Sequence, residues 1–256
     1  KKETALYKLA EHGIEEERIQ QIWANANDEY FLRESASNIV WHTEAIASFS
    51  ESGSLVATDC LIQNALEGAT QIFIYTKNSN YLFAKSAAAF EKLNLNIQGA
   101  RIFTSDNNYC MDTYTVLEAS GKPVGDNPKR LAEIEQVVTK YLNSDMEAIS
   151  PLHIRRTRKD KYFSHTIDIN WLNSPNRNYS TVEINCPDQS GILASIGKIF
   201  AEHQINLKDA RITTLGERVE DLFFVTDQSN KPIDDQDLID KICSELKMDL
   251  EQRLNT

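Results

Sequence analysis

The sequence predicts an α+β chain: two copies of one unit in tandem, each an antiparallel sheet under a helix layer, preceded by a short α-helical segment. Three observations carry this. The chain repeats itself: FEKLNLNIQGARIFT (90–104) lies over FAEHQINLKDARITT (200–214) without a gap, an offset of 110, with six of fifteen positions identical. Around that match, β-rich runs alternate with turn signals and amphipathic stretches. The first fifty residues lack the repeat and read as helix, with Trp23, Phe31, Ile39, Val40 and Trp41 available for burial.

Each copy reads in the same order. QIFIYT and TVEINC are short β-rich runs, and each leads through a turn into a helix. In the second copy Ile192, Ile196, Ile199 and Phe200 fall at i, i+4, i+7 and i+8, one apolar stripe for a sheet to cover. LNIQGARIFT and DTYTVLE then read as two strands joined by SDNN, and INLKDARITT and DLFFVTD as two joined by LGER. PKRLAEIEQVVTKYL (128–142) and DQDLIDKICSELKMDL (235–250) close the copies as helices. The pattern β-α-β-β-α is most of a ferredoxin-like split βαβ fold. A fourth strand is supplied by the runs SLVATDCLI (54–62) and HTIDINWL (165–172), which precede the copies at a similar offset. Either each unit begins with that strand, or the copies lend each other edge strands. The expected domains are a helical tail of a preceding domain (1–50), a first unit with linker (51–163) and a second unit (164–256).

Composition narrows the function classes. At 256 residues, 41% hydrophobic and 25% charged, the chain has material for about two globular cores. No apolar run is long enough to span a bilayer. The start, KKETALYKLAEHGIEEE, is charged and lacks the apolar core of a signal peptide, and with no initiator Met the chain reads as part of something larger. Cys60, Cys110, Cys186 and Cys243 are far apart, which fits a reducing cytoplasm and neither a disulfide framework nor a structural zinc site. A formal net charge of −11 disfavours nucleic acid, and the basic run RRTRKDK (155–161) lacks stacking aromatics and reads as a solvated linker.

No catalytic residue and no metal site is expected. His12, His42, His153, His165 and His203 are scattered, and no nucleophile motif appears. The acidic pair Glu220–Asp221 cannot converge on one substrate, because neighbours on a strand point to opposite faces. In NCPDQSGILASIGKIF (185–200) the spacing Gly191, Gly197, Lys198 misses the phosphate-loop pattern, and ILASIGKIF is a packed helix with Gly197 expected to allow close approach to the sheet. What remains is the turn. Pro187 ends the strand, Asp188 or Ser190 can cap the helix, and Gly191 lets the backbone come close to a neighbour. Free N–H groups at a helix N-terminus attract a carboxylate, and a nearby carboxylate or carbonyl can meet an ammonium. An ordinary capped helix and a grip on an amino-acid backbone both fit these residues.

D-x-x-G-[IL]-L after a strand, in this unit, resembles the loop of an ACT domain, a module that commonly binds amino acids to regulate enzymes. ARITTLGERVEDLFFVTD (210–227), ARIFTSDNNYCMDTYTVLE (100–118) and YFLRESASNIVWHTEAI (30–46) resemble, more specifically, the C-terminal tandem ACT region of the bacterial bifunctional uridylyltransferase/uridylyl-removing enzymes of nitrogen control. The resemblance implies a cytoplasmic glutamine sensor, with glutamine as effector and the signalling protein PII as partner of the full-length enzyme. It also implies Mg²⁺ for catalytic domains outside these residues and no cofactor within them. Carried over by position, the amino-acid site would comprise Asn185, Asp188, Gln189, Ser190, Gly191, Ile192 and Leu193, with Asn206 as a further lining residue. Asn78, Tyr81, Leu82 and Asn96 are the weaker first-copy candidates: Asn78 stands where Asp188 does, and Tyr81 where Gly191 does. A ligand-free module that self-associates through its sheets or docks other domains is the alternative. An RNA-binding split-βαβ domain is disfavoured by the charge and by the missing aromatic strand motif.

Overall fold

The computed structural model describes residues 1–26, 28–49, 54–61, 68–145, 166–188, 191–215 and 218–255. Helices α1 (Lys2–Glu11), α2 (Glu16–Trp23), α3 (Asp28–Arg33) and α4 (Ala36–Ser48) come first. The first unit follows: β1 (Leu55–Leu61), β2 (Ala69–Lys77), α5 (Leu82–Lys92), β3 (Leu95–Arg101), β4 (Tyr109–Glu118) and α6 (Pro128–Leu142). The second contains β5 (Asp168–Asn173), β6 (Ser180–Pro187), α7 (Ile192–Glu202), β7 (Asn206–Arg211), β8 (Thr214–Leu215), β9 (Arg218–Thr226) and α8 (Gln236–Asn255). The basic run 155–161 and the turn residues 216–217 lie outside the described residues.

Each unit begins with its own edge strand. β1 pairs antiparallel with β2, and β5 with β6, so neither unit borrows an edge strand from the other. The two units instead share one antiparallel sheet in the order β1-β2-β4-β3-β7-β9-β6-β5, with β8 attached to β9. The join is the pairing of β3 with β7, where Ala100 faces Ala210, Gly99 faces Arg211 and Arg101 faces Asp209. Ala100 and Ala210 are the same position of the repeat, so the junction has a local two-fold. It is extended by Ile102 N–H donating to Lys208 O and Ile212 N–H to Gln98 O, a second equivalent pair. Both strands carry a bulge just before the join, between Ile97 and Gly99 and between Leu207 and Asp209. Such bulges re-aim a strand, and a Cβ on Gly99 would meet Ala210 O at 3.2 Å.

One face of the sheet holds the layer α6, α5, α7, α8, and a single apolar core runs through both units. Ile192, Ile196, Ile199 and Phe200 are all buried in it, as the stripe predicts. Gly197 makes its close approach to a helix rather than to the sheet. A Cβ there would lie 2.6 Å from Phe83 Cδ1 and 3.1 Å from Ala84 N, both on α5. The equivalent position on α5 is Ala87, so small residues on both helices let them meet.

Among the described residues, the other face is covered over the first unit. Helices α1 to α4 bury Phe73, Met111 and Phe103 in a second apolar cluster with Leu9, Ile19, Trp23, Phe31 and Ile39. His42 stacks on Phe73 at 3.9 Å, and its ring nitrogens reach Tyr30 Oη at 2.9 Å and Thr113 Oγ1 at 3.2 Å. Arg33, at the end of α3, spans the junction: it donates to Ile102 O, to Lys208 O and to Asp209 Oδ2. Beside it Arg101 pairs with the buried Glu34 at 2.8 Å. In β6 burial alternates along the strand, which marks a sheet packed on one face. No helix among the described residues is long and apolar enough to cross a membrane.

Candidate functional site

A cleft of about 490 Å³ opens where the first half of β3 diverges from the second unit beyond the two-fold join. That volume accommodates an amino acid. Ala87 and Glu91 of α5, Asn94 to Gln98 and Ala119 line one side. Asp188, Gly191 to Ala194, Ile212, Val219 and Asp221 of the second unit line the other. The cleft therefore belongs to both copies of the repeat.

The turn before α7 is built for close approach. Gly191 caps the helix in the left-handed region, φ +80°, a conformation that costs an L side chain about 1 kcal/mol or more. A Cβ added there would meet Arg253 Nη1 at 2.9 Å and Glu91 Oε2 at 3.6 Å. Glycine thus keeps the mouth open between a cation and an anion. Arg253 is held there by a relay from α7: Ser195 Oγ donates to Asp249 Oδ2 at 2.6 Å, and Arg253 Nε donates to the same oxygen at 2.8 Å. The first turn of α7, the Arg253 guanidinium and the acidic side chains together offer both signs of charge to a small zwitterion.

Strand alternation separates the acidic pair as expected: Glu220 is exposed and Asp221 is 1% exposed. Asp221 alone points to the helix layer, opposite Ile184 in the register. Burial pushes its carboxyl up to about 7, the Thr213 N–H lowers it, and Asp188 adds a further upward push. The Thr213 N–H donates to Asp221 Oδ1 at 3.3 Å. Burial, with Asp221 and Asp188 nearby, also drives the Cys186 thiol up to about 12, so it stays protonated.

Of the residues expected at the site, Asp188, Gly191, Ile192, Leu193 and Asn96 come together in the cleft. Gln189 and Ser190 lie outside the described residues. Asn185 does not line the cleft. It lies between Asp168 and Glu220 in the ladder, and alternation turns it from the helix-facing row of Ile184 and Cys186. Its Oδ1 is buried and makes no hydrogen bond among the described residues. Asn206 also lies elsewhere, donating to Asp227 O at 3.0 Å and accepting from Gln228 at 3.1 Å. It is the counterpart of Asn96, and the two-fold carries it to the opposite side of the junction.

In the first copy, Tyr81 holds the same left-handed cap with φ 64°, without glycine's freedom. Asn78 closes onto its own turn, donating to Asn108 Oδ1 at 3.1 Å while Cys110 Sγ approaches its Oδ1 at 3.4 Å. Leu82 is buried in the core. Arg253, Glu91 and Asp221 were not singled out by the sequence as site residues. Asp221 carried a signal, as the carboxylate on an otherwise apolar strand face, whereas Arg253 and Glu91 reach the mouth only by tertiary packing. Among the described residues no group of three His, Cys, Asp or Glu side chains is placed to hold a metal ion.

Residues 1–45 match the family described as the uridylyltransferase GlnD fifth domain, and residues 180–239 match the ACT domain. The chain is 40% identical over 252 residues to a bifunctional uridylyltransferase/uridylyl-removing enzyme of Ectopseudomonas mendocina (strain ymp), covering 98% of this chain and 28% of the relative. It is 39% identical over 249 residues to the enzyme of the same name from Stutzerimonas stutzeri (strain A1501), covering 97% and 28%. With that of Pseudomonas entomophila (strain L48) it shares 40% identity over 251 residues, covering 98% and 27%. The chain thus spans less than a third of the length of these curated relatives. No solved structure matches it. Fold and similarity together make this chain a homologue of the C-terminal tandem ACT-domain region of the bifunctional uridylyltransferase/uridylyl-removing enzymes.

Proposed function

We propose that this chain is the glutamine-sensing regulatory region of a bifunctional PII uridylyltransferase/uridylyl-removing enzyme, working in the cytoplasm. One observation carries the reading: the cleft is shared by both copies and presents a helix N-terminus, a guanidinium and carboxylates at amino-acid scale. A ligand bridging α5 and the α7 turn favours one arrangement of the two units over others. Only such differential binding can bias a distant activity. On this reading the attachment and removal of UMP on PII, with Mg²⁺, belong to other parts of the enzyme. The amide of glutamine is met by Asn94, Asn96 or Gln98, the neutral polar side chains along one wall.

Calorimetric titration of the chain with glutamine, glutamate and other amino acids tests this, beside an Asp188→Ala, Gly191→Tyr double variant. The wild type is expected to bind glutamine in preference to glutamate, and the variant to lose at least tenfold in affinity. Tyrosine at 191 would meet Arg253 and Glu91 as well as the unfavourable φ. No binding of glutamine by the folded wild type refutes the sensor reading and leaves the ligand-free docking module. Equal binding by the variant moves the site away from this turn.

A further inference from the structure

We infer that Asp221 is the charge partner of the ligand's ammonium group, so that amino-acid binding expels a proton from the sheet. This rests on the reading of the cleft as an amino-acid site. It concerns a residue outside the loop that the ACT resemblance marks.

Asp221 lines the cleft yet is 1% exposed, on a row whose other members are Val219, Phe223 and Val225. A carboxylate in such a place is costly unless it is paired. Among the described residues no cation acts on it: Arg218, on the same strand, alternates to the other face and bears on Cys186 instead. β6 contributes the protonated Cys186, facing Val219 in the ladder. The turn contributes Asp188, which adds like charge, and α5 contributes Glu91 at the mouth. The segment after β7 gives one N–H, from Thr213. α7 lines the cleft with Ile192, Leu193 and Ala194, and β3 with Asn96, Ile97 and Gln98, none of them charged. Arg253 of α8 stands by Gly191, already engaged with Asp249. The carboxyl, pushed up to about 7 by burial, is therefore close to half protonated at neutral pH. An incoming ammonium replaces that proton as the positive partner: the O–H bond breaks, the proton passes to the buffer, and a carboxylate–ammonium pair remains.

The repeat provides an internal control. Asp112 occupies the same register position, opposite Ile74 as Asp221 is opposite Ile184. Burial pushes it up to about 8, and it does not line this cleft. A role confined to folding would make the two aspartates alike, whereas ligand binding would distinguish them.

The test is titration of the chain with glutamine at pH 6, 7 and 8, each in two buffers of different ionisation enthalpy. Affinity should rise up to about tenfold per pH unit below pH 7 and level off above it. Close to one proton should be released per ligand at pH 6 and only about a tenth of one at pH 8. Asp221→Asn, an uncharged isostere that can still accept the Thr213 N–H, should lose tenfold or more in affinity together with the pH slope. Asp112→Asn should keep both. 4-Carbamoylbutanoate, glutamine without its amino group, should bind wild type and Asp221→Asn equally weakly. If glutamine binds with a flat pH profile and no proton release, or if Asp221→Asn keeps both affinity and slope, Asp221 is not the partner and the sensor reading stands. If glutamine does not bind the wild type at all, the sensor reading falls and this inference with it. Should Asp221→Asn fail to fold, proton release by the wild type decides.

Discussion

Gly197 is the position where one added carbon should do most to the relation between the two units. A Cβ there would sit 2.6 Å from Phe83 Cδ1 and 3.1 and 3.2 Å from the backbone N and Cα of Ala84. The Phe83 ring has little room to yield, since it packs against Tyr114 of the first unit and Phe223 of the second. The Ala84 backbone lies inside a helix and can move only with it. Alanine therefore forces α5 and α7 apart by a few tenths of an ångström, at an overpacking cost of about 1–3 kcal/mol. Replacing glycine inside a helix returns about 1 kcal/mol of propensity. The expected net loss for Gly197→Ala is about 1 kcal/mol, and Gly197→Val should lose more because its extra methyls have nowhere to go. Urea unfolding followed by circular dichroism measures it. Because α5 carries Ala87 and Glu91 to one wall of the cleft and α7 opens the other, the alanine variant should also bind glutamine more weakly. If Gly197→Ala proves more stable than the wild type by about the propensity gain, the helices have slack and the close-packing argument is wrong.

Two further outcomes concern the helices on the opposite face. Burial holds the His42 imidazole down at about 4, so the folded chain keeps it neutral while the unfolded chain protonates it below about 6.5. Its contribution is present above that value and is lost as pH falls from about 6.5 towards 4, amounting to about 3 kcal/mol. His42→Gln should flatten the decline in stability over that window, and an unchanged acid limb would refute the assignment. Arg33→Ala removes donors to Ile102 O, Lys208 O and Asp209 at the junction of the units. Charge-assisted bonds of this kind put the loss at about 1.5–3 kcal/mol. Burial already pushes the Asp209 carboxyl up, and Arg33 opposes it, so the variant should be more destabilised at pH 8 than at pH 5. A change in the urea midpoint equivalent to under about 0.5 kcal/mol would show that the bridge is idle.

Much of the fold can be read from residue patterns because the determinants are local and occur twice. The 110-residue offset shows up as matched Ala-Arg-Ile triplets, and the helices and strands follow from periodicity and turns. Even the covering of the first unit left a trace. QIFIYT is apolar at consecutive positions, as a strand buried on both faces must be, while TVEINC alternates, and the structure buries the first on both sides and the second on one. The turn Asp188–Gly191 was legible for the same reason, since a strand end, a left-handed glycine and a helix start are neighbours in sequence.

The site as a whole was not. Its cleft exists because β3 and β7 pair for only three residues about a two-fold and then diverge, and no one-dimensional pattern encodes how far two strands stay together. Arg253 reaches the mouth because residues 251–255 continue α8 and the Ser195–Asp249 link holds that helix against α7. Glu91 arrives from the other copy altogether. Asn96 and Asn206 are equal in sequence, yet the two-fold places one in the cleft and the other on its own turn. For this protein, sequence alone determined the repeated unit, its elements and the loop. Tertiary structure decided which copy completes which site, because that depends on burial and approach between segments about a hundred residues apart.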